Sequence, residues 1–387
     1  MPKSSASSRR RGPISAGQLG HYRVVESFQA LLRRHLSDRP LTATEKDPRR
    51  SLAIDDYFSL MLFGLFNPLV RSLRGLSQAS HLRVVQQRVC SRPVSLGSFS
   101  EAQHHFGPEV LIRALQDCAG QVQRQFAQHS ELARHLSSLH AHDSTLIRAL
   151  PRMTWALWMD ERNRGVRVHL DFEVFRQVPD DVAIAPAAAC ERKVWKPRLR
   201  GGTCYVGDRY FGHDYNLARL VRRRGSHFVF RLHHNAYYRL IPGTERTPSQ
   251  ADRQAGVIGD ADIELGRHAT HQRVRLVRVR LGELALDLIT DLESLSAQEI
   301  ALIYQYRWQI EIYFKWLKCI LGCEHWLAES PQGVAVQVYG ALIASVLLAL
   351  WSGRRPSKRA MEALRFYQLG LADDQELELL LRRAKMI

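Results

Sequence analysis

One stretch of the chain, Tyr304 to Lys318 (YQYRWQIEIYFKWLK), combines the side chains that phosphoryl chemistry uses. Read as a helix at about 100° per residue, it puts Tyr304, Arg307, Glu311 and Lys318 within an arc of about 60°. One face then presents a carboxylate flanked by two cations and a phenol. Ile303, Ile310, Phe314, Leu317 and Leu321 fall on the adjoining face and suit a core. On such a face Glu311 can hold a divalent metal while Arg307 and Lys318 grip phosphates beside it. The ordinary alternative is an i,i+4 ion pair of Arg307 with Glu311, which is what most helical Arg/Glu faces are.

Metal-dependent phosphoryl transfer needs several carboxylates converging on one or two divalent ions, ideally about 4 Å apart. Magnesium takes a few carboxylates plus water and substrate phosphate, not a closed protein cage. Asp143 in H-D-S-T and Asp208 in Y-V-G-D-R-Y are the candidate partners of Glu311. Each is expected to close a short apolar strand before a turn or helix, which sets its carboxylate at a sheet edge.

Other groups read more plainly. Asp171 and Glu173 alternate with Arg167 and His169 along VRVHLDFEV and are expected on a solvated strand face with cross-strand ion pairs. Asp180 and Asp181 follow Pro179 as turn residues. Cys319, Cys323 and His325 lack a second ligand pair and the C-x2-C spacing of a zinc site, so they read as ordinary side chains. The sequence holds no Walker-type loop and no Gly-x-Ser-x-Gly elbow.

The elements that must position these residues change character along the chain. Residues 1–18 read as a solvated basic tail with Arg9, Arg10 and Arg11 adjacent. From about His21 to Ala127, apolar residues three and four apart predict short helices (FQALLRRHL, DDYFSLMLFGLF, PEVLIRALQDCAGQV), broken at Pro93 and Gly97, with Ser98 or Ser100 as a cap. Strands follow: one ending in a turn at Asp143, then Val166–Val174, then GGTCYVGD closing at Asp208. YNLARLVRRRG predicts a short helix stopped by Gly225. HFVFRL, RVRLVRVRL and LALDLIT supply further strands. S-A-Q-E at Ser296 is a capping box that opens a helical run from Ile300 to Leu321. The order implies an α/β catalytic domain behind an all-helical N-terminal one.

Composition sets the partner class. Lys plus Arg number 55 against 38 Asp plus Glu, a net +17. Such a surplus attracts polyanions, so nucleic acid or an acidic membrane surface is the expected partner. Most of the cations are arginines, which grip phosphate with a two-pronged donor set. Six scattered cysteines suit a reducing cytoplasm, not a disulfide scaffold. The N-terminus leads into no apolar core, so a signal peptide is not expected there. Val334 to Trp351 reaches the lower length limit for a spanning helix, but Gln337 and Ser345 interrupt it, and a buried core helix is expected.

The spacing Y-x2-R-x3-E-x6-K resembles the signature of the DDE transposases of bacterial insertion sequences, in the family-four group marked by Y-R-E-K. TDLESLSAQEIALIYQYRWQIEIYFKWLK resembles that family's strand, turn and catalytic helix, and GVAVQVYGALIASVLLAL resembles its following apolar helix. The resemblance covers roughly residues 136 to 351. It implies that Asp143, Asp208 and Glu311 are the catalytic, metal-binding carboxylates and that Tyr304, Arg307 and Lys318 serve DNA. The family commonly has glycine after the arginine that follows its second aspartate; here Tyr210 stands there and Gly212 comes later. A β-rich insertion between the second aspartate and the glutamate contacts transposon-end DNA in that family. Arg273, Arg275, Arg278 and Arg280 therefore line either such a surface or a solvated edge strand protected by charge. Some relatives hold a flipped base with an insertion tryptophan, but Trp308, the single tryptophan of this interval, belongs to the helix.

The expected fold is a ribonuclease-H-like α/β core over 131–353 with a β-rich insertion at about 227–292. A basic tail (1–18) and a helical DNA-binding domain (19–130) precede it, and a helical tail (354–387) follows. The expected function is metal-dependent hydrolysis at transposon ends and strand transfer into target DNA. Two Mg ions serve as cofactors, with Mn as a substitute. The expected partners are terminal inverted repeats and target DNA, with no membrane, and at least a dimer assembles on DNA. The setting is the bacterial cytoplasm, at the nucleoid. The alternatives are a metal-dependent nuclease without strand transfer and an inactive DNA-binding relic.

Overall fold

Hydrophobic periodicity becomes two bodies in the computed structural model, which describes residues 21–37, 39–42, 45–123, 132–157, 163–266, 272–321, 326–352 and 356–384. The basic tail lies outside these residues, as do Cys323 and His325. Contacts divide the chain into one unit of 1–114 with 332–387 and another of 115–331.

The first unit is helical. Its core helix, Ile54–Phe66, is buried from Asp56 to Phe66. The Asp56 carboxylate is satisfied there by the backbone N–H and hydroxyl of Ser91, at 3.1 and 2.6 Å. The helix Leu96–His105 is capped by Ser95, not by Ser98 or Ser100. Ser95 alone stands before the first turn with extended backbone, and its side chain accepts from the Ser98 N–H. The apolar run forms the helix Pro331–Ser352. An 18-residue window within Pro331–Trp351 has a mean hydropathy of 2.1 and is 94% buried inside the protein, as a core helix should be. Contacts group 332–352 with the N-terminal helices, a pairing that linear patterning does not reveal.

The second unit is built on one nine-stranded sheet. Its strands are β1 (Leu139–Arg148), β2 (Gly165–Glu173), β3 (Val178–Pro186), β4 (Cys204–Gly207), β5 (His227–Arg231), β6 (Tyr238–Leu240), β7 (Val257–Leu265), β8 (Gln272–Leu281) and β9 (Leu284–Thr290). They lie in the order β3-β2-β1-β4-β5-β9-β8-β7-β6. β1, β2 and β3 pair antiparallel, while β4 runs parallel to β1 and β5 parallel to β4. These five strands are the ribonuclease-H-like core. Parallel strands need a crossover, and the helix Tyr215–Arg223 supplies it between β4 and β5. β5, which the expected insertion of 227–292 included, pairs parallel with β4 and so lies in the core; β6 to β9 extend the same sheet, because β9 pairs directly with β5.

Two readings of strand faces do not hold: the edge-strand alternative for β8 and the solvated face of β2. β8 is an inner strand between β7 and β9, so it is no edge. Three of its four arginines are held by acids: Arg273 by Asp262 at 2.5 Å, Arg275 by Asp260 at 2.6 Å, and Arg278 by Asp287 at 2.6 Å, while Arg280 is exposed. The polar face of β2 is not solvated either. His169, Asp171 and Glu173 are each at most 5% exposed. The helix Glu191–Trp195 and the 3-10 turn after it bring Trp195 and Arg198 against this face, which the strand's own alternation cannot announce.

Candidate active site

Strand pairing decides where the two aspartates meet. The sequence predicts that the first strand stops at Asp143, but β1 runs on to Arg148 because residues 144–148 keep pairing with β2. What stops there is the pairing of β1 with β4, whose last partners are Ala141 and Val206. Asp143 and Asp208 each lie two residues further on. They therefore follow the last paired residues of two neighbouring parallel strands by the same step, and the Asp208 charge is felt at Asp143.

Beyond Asp208 the chain turns at once into the short helix Arg209–Gly212. Asp208 caps it, accepting a 2.8 Å hydrogen bond from the Tyr210 N–H. Tyr210 fits because it sits within the helical turn with its ring partly outside, and the Arg192 guanidinium lies 4.5 Å from that ring. The need for glycine falls instead on Gly212. A Cβ there would stand 2.0 Å from the Arg231 carbonyl oxygen of β5.

The helical run carrying Glu311 opens with the expected capping box, Ser296 accepting from Glu299 N–H and Glu299 from Ser296 N–H. It is jointed at Arg307, between the helices Ala297–Tyr306 and Trp308–Ile320. Hydrogen bonds tighten there to i→i−3, from Arg307 N–H to Tyr304 and from Ile310 N–H to Arg307. Arg307 keeps helical dihedrals, so the face survives the joint. Phe172 of β2 and Tyr313 pack at 5.1 Å between ring centres, which seats the second helix on the Asp143 side of the sheet.

This seating brings the predicted residues together. Arg307 Nη2 lies 2.7 Å from Glu311 Oε1, and Arg307 Nη1 lies 3.8 Å from Asp143 Oδ2. The Tyr304 ring lies 5.6 Å from the guanidinium and is buried. Lys318 is half-buried on the same side, about 10 Å along the helix axis from Glu311. The ordinary i,i+4 pair thus exists, but a strand aspartate shares its arginine.

Burial pushes Asp143 up to about 7. The Ser144 N–H, which donates to it at 2.7 Å, works against that rise, as does the Arg307 charge. The charges of Glu191 and Asp208 add to it. Glu191 is a carboxylate that the sequence did not single out. It opens a five-residue helix in A-C-E-R-K, where no spacing relates it to Asp143.

Known proteins give the site a context. The pattern of the Transposase DDE domain family matches residues 134–347. A putative transposase, y4zB, of Sinorhizobium fredii is 26% identical over 256 residues, 65% of this chain and 69% of its own length. A probable transposase for insertion sequence element IS5377 of Geobacillus stearothermophilus is 26% identical over 271 residues, 69% of this chain and 68% of its own. A piggyBac transposase synaptic complex with hairpin DNA aligns with 98% of this chain and 86% of its own, at 11% identity and a TM-score of 0.42, a likeness too loose to argue from.

Proposed function

We propose how this chain, which belongs to the transposase DDE domain family, cuts and joins DNA. It is a DNA transposase, an enzyme that acts with divalent metal. One observation carries the detailed reading. Asp143 and Asp208 each follow the last paired residues of adjacent parallel strands by two positions, and Arg307 lies between Glu311 and Asp143.

These three carboxylates fit hard, oxygen-seeking cations, since a carboxyl raised to about 7 by burial and by neighbouring acids needs positive charge beside it. Asp143, Asp208 and Glu311 would hold two Mg ions, for which Mn can substitute. When bound, such ions acidify an attacking water and stabilise the leaving oxygen. Arg307 and Lys318 hold phosphates flanking the reacting one, and Tyr304 braces the Arg307 guanidinium. A water oxygen attacks phosphorus at the transposon end, and the bond from phosphorus to the 3′ oxygen breaks. A 3′-hydroxyl and a 5′-phosphate result. That hydroxyl then attacks a target phosphodiester in the same site, one P–O bond forming as another breaks. The partners are terminal inverted repeats and target DNA, in keeping with the net +17, and the chain acts as at least a dimer in the bacterial cytoplasm, at the nucleoid.

The test is Glu311→Gln with end-containing duplex and Mg2+. Cleavage should vanish while end binding stays within about threefold, because one charge far from most phosphate contacts changes little of the affinity. Retained cleavage would remove Glu311 from the site. Pre-cut ends offered to the wild-type chain should be joined to target, and failure to join would leave a nuclease only.

A further inference from the structure

The face of β1 opposite Asp143 carries a second set of ligating side chains. Alternation turns His142 to that side. The register sets Asp171 of β2 directly across from His142, and His169 across from Ser144, diagonal to it. His142, His169 and Asp171 are at most 3% exposed. Trp195 stacks on the His142 ring at 4.2 Å, and Phe211 meets it edge-on at 5.2 Å.

Within this buried layer the donors and acceptors do not close. His142 Nδ1 pairs with Asp171, which leaves Nε2 without a partner. Both ring nitrogens of His169 and Oε1 of Glu191 are also buried without partners. One ligand atom from each of His142, His169 and Glu191 lies within 4.8 Å of the other two. An unsatisfied buried polar group costs about 1–3 kcal/mol, so three at one point call for a common partner. The neighbouring cations are engaged elsewhere. Arg198 binds Asp181 and the Val182 carbonyl, and Arg167 donates to the Ser144 hydroxyl and the Ala187 carbonyl. Burial, with His142, Arg167 and Arg198 nearby, pushes His169 down to about 3, so its ring stays a neutral lone-pair donor.

We propose that His142, His169 and Glu191 form a site for one zinc-class cation whose ligands are other than Asp143, Asp208 and Glu311. Two imidazole nitrogens and one carboxylate suit a borderline cation such as zinc, where magnesium prefers oxygen alone. The Asp171 contact at Nδ1 is the outer support that fixes a ligating imidazole and aims its other nitrogen. Ligand distances of about 2.1 Å require the three groups to close by about an ångström, with water in the fourth position. The ion would tie β1, β2 and the helix Glu191–Trp195 together behind the strand that carries Asp143.

The test uses the full chain with Asp143→Asn, Asp208→Asn and Glu311→Gln, stripped with a chelator, so that the other carboxylates cannot answer for it. Co2+ alone should bind one ion per chain and show the visible bands of a four-coordinate site. Zn2+ alone should displace it and raise Tm. His169→Gln should abolish both signals. Because that variant can also misfold, Glu191→Gln, at the half-buried start of a helix, is the deciding change. It should weaken Zn2+ binding by about tenfold or more with an unchanged far-UV spectrum. No bound ion in the stripped triple variant, or unchanged affinity in Glu191→Gln, overturns the proposal.

Discussion

Arg307 bridges Glu311 and Asp143, 2.7 Å from the first carboxylate and 3.8 Å from the second, and so ties a helix to a strand more than 160 positions away in sequence. Its side chain is 13% exposed, so solvent does little to replace it. Arg307→Ala should lower the stability of the metal-free chain by about 2 kcal/mol, the scale of a charge-assisted hydrogen bond. Saturating Mg2+ should narrow the deficit by supplying positive charge at the same carboxylates. Urea denaturation in chelator and again in Mg2+ measures both. A deficit unchanged by Mg2+ would separate Arg307 from the metal-binding group.

Asp143 makes stability depend on pH in a definite direction. Its folded value, raised to about 7, exceeds the ordinary 3.8, so between these values the folded state holds a proton that the unfolded state has lost. The metal-free chain should therefore lose stability as pH rises from about 4 through about 7. Asp143→Asn should flatten that part of the profile and be the more stable protein at pH 8. Equilibrium denaturation across pH in chelator checks it, and a wild-type slope in the variant would refute it.

Gly212 is required by the β5 backbone, since any Cβ would meet the Arg231 carbonyl at 2.0 Å. Gly212→Ala should cost about 3 kcal/mol through forced backbone shift. Because Asp208 caps the same short helix, Mg2+ affinity should fall with stability. Tyr210→Gly should cost no more than about 1 kcal/mol, the scale of a glycine within a helix, and leave Mg2+ affinity unchanged. Thermal melts and Mg2+ titrations of the two variants decide.

Arg275 is 4% exposed, bonded twice to Asp260 and once each to the Leu292 and Leu295 carbonyls. Arg275→Ala should destabilise by about 3–5 kcal/mol, the scale for breaking a buried ion pair. It should leave the salt dependence of DNA binding as it was, whereas loss of a phosphate contact would reduce the slope by about one. Binding isotherms over a salt series distinguish the two.

Local chemistry was legible in the sequence. Helical periodicity is set by neighbours within a turn, so the Tyr304, Arg307, Glu311 face and the Ser296 capping box could be read before any contact was known. So could the strand before Asp208 and the glycine stop at Gly225, which has φ +68°. What no linear pattern holds is which strand lies beside which. The matching positions of Asp143 and Asp208 follow from a parallel register between segments some sixty residues apart. The burial of His142, His169 and Asp171 follows from a helix that covers them from elsewhere in the chain. An alternating polar strand looks the same whether water or Trp195 lies above it, because alternation fixes only which residues share a face. Arg273, Arg275 and Arg278 of β8 show the same limit: their charge is written in the sequence, but their acid partners come from the strands that pair beside them.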